Sequence, residues 1–226
     1  MRRAAAGYLP AMTRPILYDY WRSSAAYRVR IALALKGVDC ERVAINLLDG
    51  AQQAPDYKAR NPQGLVPMLD LGGERLTQSL AIIDRLDSLW PEPRLVPADP
   101  AARAEVLEMA LVVAADIHPI NNLRVLKYLA GLGVGQAARD DWYRHWIAEG
   151  FAALEALAAR RAGRFLRGDE VTLADVCLVP QMFNARRLGL PLDPYPTLVR
   201  VDAEAGAFPA FAAAHPERVA PAGPPR

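Results

Sequence analysis

Apolar and polar positions divide the chain into a mixed first part and a helical second part. The segments 16–21 and 41–47 are short and rich in apolar and β-forming residues, so each predicts a strand. Between them, Ser23 and Ser24 offer a helix N-cap, apolar residues follow at helical spacing, and Gly37 supplies a terminating glycine. A strand, a helix and a strand joined by short connections predict a βαβ unit with parallel strands.

A β-hairpin is predicted next, within the stretch 61–79. The Gly72-Gly73 pair marks a tight turn between two short strands. Pro67 cannot donate a ladder hydrogen bond, so it must lie at the beginning or edge of its strand. In that place the backbone N–H and C=O of Val66 remain available to pair with an extended peptide.

The helix expected over 78–89 begins at Gln78 and Ser79. Side-chain donors and the unsatisfied N–H groups of a helix start suit a carboxylate. A strand edge beside an anion site is what a small peptide with a free carboxylate needs. The order βαβ-ββα is also the thioredoxin-like pattern, which predicts an α/β first domain.

The stretch 91–100 contains four prolines and no helical period, so it is expected to be a domain linker. Helices without a convincing strand follow, at about 101–129, 136–160, 172–187 and 207–214. The predicted organisation is a disordered extension (1–13, with Met12 as a candidate start), a thioredoxin-like domain (14–90), the linker, and an all-helical domain (101–226).

A capping box is the sharpest local signal in the second part. Thr172 and Asp175 form a Thr-x-x-Asp pattern before a nearly all-apolar helix. The pattern predicts that this helix forms the core of the second domain. It also assigns Asp175 a structural role rather than a catalytic one.

Composition narrows the class of protein. The 226 residues are 52% hydrophobic with a net charge of +2, and no basic patch indicates nucleic acid. Cys40 and Cys177 form no CxxC, which favours a reducing compartment, hence a cytoplasmic location, and argues against a zinc or other metal site. No apolar run is long enough to span a membrane.

Five segments together resemble the zeta-class glutathione transferases, from about residue 15 to about residue 200. They are SSAAYRVRIALALKG, NPQGLVPML, LTQSLAIIDRL, DIHPINNLRVLKYL and DEVTLADVCLVPQMFNARR. In this family the proline equivalent to Pro67 is cis. The chain departs from the family at Ala25, where many members carry a cysteine. That departure puts a cysteine-based role in doubt and leaves a serine-based one intact.

The resemblance implies a thioredoxin-like glutathione-binding domain, a helical glutathione-transferase C-terminal domain, and a homodimer. It also implies a glutathione-dependent cis–trans isomerase that converts maleylacetoacetate to fumarylacetoacetate in tyrosine and phenylalanine breakdown. Maleylpyruvate in gentisate breakdown is the alternative substrate, and both are keto-dicarboxylates. The same resemblance is compatible with conjugation or dehalogenation by glutathione, and with a binding protein without activity. The absence of cysteine at 23–26 excludes a thioredoxin-type disulfide oxidoreductase.

Residue roles also follow from the resemblance. Ser23 and Ser24 would stabilise the glutathione thiolate as catalytic residues, with Ser23 preferred, because a helix N-terminus combines hydroxyl donors with a positive dipole end. The glutathione-binding positions would be Ser23, Ser24, Ala25, Arg28, Gln52, Val66, Gln78, Ser79, His118, Asn122, Leu123 and Arg124.

Arg187 would bind the substrate, because a guanidinium matches a carboxylate in shape and charge. The helical pattern alone favours a different place for Arg28, since one of Arg28 and Arg30 is expected to face solvent or a dimer interface. Lys36 and Arg42 are expected to be surface charges.

Overall fold

A computed structural model describes residues 14–221, so the predicted extension 1–13 lies outside the described residues. The strands are Ile16–Asp19 (β1), Glu41–Ala44 (β2), Met68–Asp70 (β3) and Arg75–Thr77 (β4). The helices are Ser24–Leu35 (α1), Pro55–Lys58 (α2), Ser79–Leu89 (α3), Pro100–Leu111 (α4), Leu123–Gly131 (α5), Gln136–Ala158 (α6), Leu173–Arg187 (α7), Pro196–Gly206 (α8), Pro209–Ala214 (α9) and Pro216–Val219 (α10). None of these helices is both long and apolar enough to cross a membrane.

The four strands form one sheet in the order β2-β1-β3-β4. β1 is parallel to β2, with Leu17 opposite Arg42, and antiparallel to β3, with Leu17 opposite Leu69. β3 and β4 form the expected hairpin. The predicted βαβ unit and the thioredoxin-like first domain followed by a helical domain are therefore confirmed, although β1 and β2 are each shorter than expected.

Helix α1 lies at the junction of the two domains. It packs against α3 on one side and against α7 and α9 of the helical domain on the other. One continuous apolar cluster, which includes Val29, Ile83 and Val176, runs through both domains. Because α1 is covered on several sides, its polar residues are held in fixed positions between the domains.

The prediction of one helix over about 101–129 is wrong. α4 passes into a π-helical turn at Val112–Ile117, the chain leaves helical geometry, and α5 begins only at Leu123. Asn122 is the N-cap of α5, because its Oδ1 accepts a hydrogen bond from the amide of Arg124 at 3.1 Å. The asparagine pair therefore ends an interruption rather than occupying mid-helix, and α8 was not expected at all.

The expectation that Lys36 is a surface charge is also wrong. Its ammonium is fully buried, lies 2.7 Å from the Asp87 carboxylate, and donates to the carbonyls of Trp90 and Pro93. Asp87 also accepts the amide of Val96 at 2.6 Å. This ion pair fixes the stretch between α3 and α4 to the end of α1.

The capping box of α7 is confirmed. The Asp175 carboxylate accepts the amide of Thr172 at 2.8 Å and the amide of Leu166 at the same distance. Burial raises the pKa of Asp175 to about 6, although these hydrogen bonds act in the opposite direction. Every bond that Asp175 makes holds the start of α7 in place, which fits a structural role.

Candidate active site

Two serines begin α1, and the structure gives them different partners. Ser23 is the N-cap, and its Oγ accepts the amide of Ala26 at 3.3 Å. Ser23 remains half-buried, whereas Ser24 is only 8% exposed. Ala25, where many family members carry a cysteine, is half-buried in the same turn. Of the two hydroxyls, that of Ser23 is therefore the more accessible to a ligand.

Ser24 faces the helical domain. Its Oγ accepts a hydrogen bond from Nδ2 of Asn184, on α7, at 2.6 Å. Asn184 is 3% exposed. This bond joins the first turn of α1 to the helical domain.

An unpaired length of backbone precedes β3. The Val66-Pro67 peptide is cis, and neither the N–H nor the C=O of Val66 is hydrogen-bonded within residues 14–221. Leu65, by contrast, is held by the hydroxyl of Tyr57, which donates to its carbonyl at 2.7 Å. Gln52 lies half-buried on a short 3-10 helix, with its Oε1 buried and unpaired within the same described range.

Gln78 has an unusual backbone at the N-terminus of α3. Its φ is 66°, and Gln78 is the only non-glycine residue with a positive φ among residues 14–221. Such a conformation costs of order 1–3 kcal/mol and is typical of ligand-binding positions. The Gln78 side chain donates to Oε1 of Gln63 at 2.9 Å, and Ser79 opens the helix with buried side-chain and backbone donors.

Arg28 reaches from α1 to this helix start. Its Nη1 donates to the Ser79 hydroxyl at 3.3 Å. Arg28 is 2% exposed, and its Nε and Nη2 have no partner among residues 14–221. No carboxylate in that range lies within ion-pair distance of it. The expectation that one of Arg28 and Arg30 faces solvent or a dimer interface is wrong, because both side chains are buried within this single chain.

The two arginines of α1 differ in how their charge is compensated. Arg30 is 2.7 Å from the buried carboxylate of Asp19, which also pairs with Arg42. Burial lowers the pKa of Arg28 from its ordinary value, and no nearby carboxylate opposes that effect. Arg28 is therefore a buried cation without a carboxylate partner among residues 14–221, and it lies next to the N-terminus of α3.

His118 follows the π-helical turn and borders the same region. Burial lowers the pKa of its imidazole to about 3, and the Arg28 charge adds to the effect. His118 is therefore neutral at pH 7. Asn122, Leu123 and Arg124 lie at the start of α5, and their side chains form no hydrogen bond to the first domain within the described range.

A cleft of about 1390 Å³ opens beside the start of α1. Trp21 and Arg22 line one wall, and Phe183 and Arg187 line the wall formed by α7. Neither Arg22 nor Arg187 has a carboxylate within 4.0 Å among residues 14–221. The neighbouring Arg186, in contrast, is 2.6 Å from Asp202. Two unpaired guanidinium groups therefore face one cleft.

Aromatic rings hold both of these guanidinium groups. Arg22 lies 5.2 Å from the centroid of the Trp21 ring, and Arg187 lies 5.9 Å from that of Tyr143. Burial raises the pKa of Tyr143, although Arg187 acts in the opposite direction. The Tyr143 hydroxyl is therefore protonated at pH 7 and can position Arg187.

The sequence reasoning missed Arg22 and Asn184. Arg22 directly precedes the serine pair, so its position was a usable signal for the cleft wall. Asn184 carries no local signal, because only the packing of α7 on α1 brings it to Ser24.

Comparisons with known proteins agree with this fold. Residues 14–88 match the family model described as the glutathione S-transferase N-terminal domain. A maleylacetoacetate isomerase of Rhizobium meliloti (strain 1021) is 50% identical over 208 residues, which cover 91% of this chain and 98% of that protein.

Two solved structures share the whole fold. The holo structure of a maleyl pyruvate isomerase, a bacterial zeta-class glutathione S-transferase, has a TM-score of 0.88 and 46% identity, covering 91% of this chain and 98% of the other. A maleylacetoacetate isomerase of Anaeromyxobacter dehalogenans, solved with dicarboxyethyl glutathione and citrate in its active site, has a TM-score of 0.83 and 46% identity, covering 93% and 98%. Sequence identity over nearly the full length of these relatives shows that the chain belongs to the zeta class of the glutathione transferases.

Proposed function

We propose that this chain is a glutathione-dependent cis–trans isomerase that converts maleylacetoacetate to fumarylacetoacetate in tyrosine and phenylalanine breakdown. The observation that carries the proposal is the presence of two sites whose arginines have no carboxylate within 4.0 Å among residues 14–221. One is the start of α3, where Arg28 lies buried behind Ser79. The other is the cleft that Arg22 and Arg187 line.

The residues of the first domain fit glutathione. The unpaired backbone of Val66 suits the extended peptide, and the start of α3 with Gln78, Ser79 and the Arg28 charge suits a carboxylate. Gln52 adds a buried, unpaired side-chain oxygen. From the helical domain, we infer that His118, Asn122, Leu123 and Arg124 border the bound tripeptide.

When bound, glutathione supplies a thiolate that adds reversibly to the conjugated alkene, so that rotation about the former double bond precedes its restoration. A free thiol has a pKa of about 8.5, so the protein must favour the ionised form. We assign this role to Ser23, with Ser24 beside it, because hydroxyl donors and the positive end of α1 meet there. No protein cysteine is needed, which agrees with Ala25.

The cleft suits an acid with a carboxylate at each end. Arg187 can bind one carboxylate in a bidentate manner, and Arg22 is placed to bind the other. Citrate and a dicarboxyethyl adduct of glutathione in the related Anaeromyxobacter structure support this substrate class. Maleylpyruvate is the second candidate substrate, because a zeta-class maleyl pyruvate isomerase is 46% identical to this chain, as is the Anaeromyxobacter maleylacetoacetate isomerase.

We also infer a cytoplasmic homodimer whose domains are joined by the linker 91–100. Leu111 at the end of α4, Tyr128 on α5 and Leu132 just beyond α5 are 44%, 69% and 64% exposed, and large exposed apolar side chains support a helical surface that a second subunit covers. Sedimentation should give a dimer at micromolar concentration. A monomer under those conditions would reject the assembly.

Activity with both acids tests the proposal. Conversion of each cis acid to its fumaryl isomer should require glutathione, and the ratio of the two kcat/KM values should name the substrate. Arg187→Ala should raise the substrate KM far more than the glutathione KM. Turnover without glutathione, or no fumaryl product from either acid, would contradict the proposal.

The choice of serine is tested separately. Ser23→Ala removes one hydrogen bond to a charged group, which contributes about 1.5–3 kcal/mol and corresponds to roughly ten- to a hundredfold in turnover. Ser23→Thr is the matched control, since it keeps both the hydroxyl and the N-cap. Full turnover in Ser23→Ala together with loss in Ser24→Ala would move the assignment by one residue.

A further inference from the structure

A polar seam runs between α1 and α7, buried inside the domain junction. Ser24 and Arg28 lie one turn apart on α1, and Cys177, Gln181 and Asn184 follow one another along one face of α7. All five are buried. Among the described residues, the only hydrogen bond between α1 and α7 is the one that Asn184 donates to Ser24.

The direction of that bond determines where the Ser24 proton can go. The Asn184 amide nitrogen is a donor only, so the Ser24 oxygen accepts. The Ser24 hydroxyl donates to no residue from 14 to 221. A hydroxyl whose oxygen already accepts a hydrogen bond is polarised and becomes a better donor.

We propose that Asn184 is a positioning residue that acts through Ser24. By donating to Ser24 across the domain junction, it turns the Ser24 hydroxyl proton toward the thiolate at the start of α1. The inference rests on the proposed function, because it concerns the bound glutathione thiol. It adds to that function a residue of the helical domain that sets the thiolate fraction in the first domain.

His118, after the π-helical turn, and Tyr143, on α6, adjoin the Arg28 end of this seam, and both are neutral at pH 7. On α1 the neighbouring charge is Arg28, whose Nη1 is directed to Ser79. On α7 it is Cys177, whose thiol pKa is raised by burial, so that it stays protonated.

The test is the pKa of the bound thiol, measured from the ultraviolet absorbance of the thiolate in the binary complex with glutathione. Asn184→Ala and Ser24→Ala should each raise that pKa by about one pH unit, equivalent to a tenfold loss of thiolate below it. Adding Asn184→Ala to Ser24→Ala should have no further effect, since the two act as one unit.

Two further variants complete the design. Asn184→Asp replaces the donor by an acceptor, so it should draw the Ser24 proton away and raise the thiol pKa at least as much as Asn184→Ala. Gln181→Leu, one turn earlier on the same face, changes the packing of the seam without touching Ser24, and it should leave the thiol pKa unchanged.

Several results would overturn the inference. They are an unchanged thiol pKa in Asn184→Ala with only a lower melting temperature, an additive effect in the double variant, or a normal thiol pKa in Asn184→Asp. Failure of the proposed function would be visible separately, as absence of glutathione binding or isomerisation in the unmodified protein.

Discussion

Replacement of Arg28 by methionine should weaken glutathione binding without destabilising the protein. The side chain is 2% exposed, lies 3.3 Å from Ser79, and has two unpaired nitrogens among the described residues. A buried charge without a partner opposes folding, so its removal, with the stem volume retained, should leave the melting temperature unchanged or higher. We therefore expect the buried charge of Arg28 to serve ligand binding rather than stability.

The expected loss of affinity follows from the same contacts. If the Arg28 charge favours a bound carboxylate through Ser79, its loss should cost about 1.5–3 kcal/mol of binding. That corresponds to roughly a ten- to a hundredfold rise in the glutathione Kd. Calorimetric titration with glutathione measures the affinity, and thermal unfolding of the ligand-free protein measures the stability.

Arg30 provides the matched control on the same helix. It is equally buried but pairs with Asp19, so Arg30→Met should destabilise the protein by roughly 3–5 kcal/mol. The lower end is expected, because Arg42 remains as a partner of Asp19. For a chain of this size a loss of about 3 kcal/mol corresponds to a melting temperature lower by about 6–12 °C. If Arg28→Met behaves like Arg30→Met and binds glutathione normally, the reasoning is refuted.

Three further outcomes are expected from changes elsewhere in the molecule. Folding lowers the pKa of His118 to about 3, so its contribution to stability is present above pH 6.5 and is lost as the pH falls from 6.5 toward 3. His118→Gln should therefore flatten that part of a curve of unfolding free energy against pH. Gly150→Ala should lower the free energy of unfolding, measured with urea, by about 1–3 kcal/mol, because the added Cβ would collide with Ile117 in the π-helical turn. Asp87→Ala should lower the free energy of unfolding by roughly 3–5 kcal/mol, because it leaves the Lys36 ammonium buried without its carboxylate. A change below about 1 kcal/mol would show that the contacts of Lys36 with backbone carbonyls suffice.

The first domain was predictable because its signals are local. Apolar alternation, the serine cap of α1, Gly37 and the place of Pro67 each restrict a few consecutive residues, and their order already defines the βαβ-ββα topology. The capping box at Thr172 is local in the same sense. Such signals do not depend on which surface a distant segment covers.

The burial of α1 was not predictable in this way. Arg28 and Arg30 are two positions apart, so on a helix with one solvent-facing side one of them would face water. Both are buried because α3 covers one side of α1 while α7 and α9 cover others. The contact between Ser24 and Asn184, 160 residues apart, depends on the same packing.

The break after α4 has a local signal in the sequence. Pro119 lacks an N–H, and asparagine at 122 is a favoured N-cap. Together they mark the end of one helix and the start of another, as the structure has them. The sequence carries no signal for the π-helical turn, in which Ile117 packs closely against Gly150 of α6.

The thiol balance of the reaction tests the central claim most directly. Glutathione at a small fraction of the substrate concentration should support complete conversion of the cis keto acid to its fumaryl isomer, followed by absorbance. Free thiol titrated before and after the reaction should be equal, because the thiolate leaves in every cycle. Loss of thiol in proportion to the substrate consumed, with no fumaryl product, would contradict the isomerase and indicate a conjugating transferase.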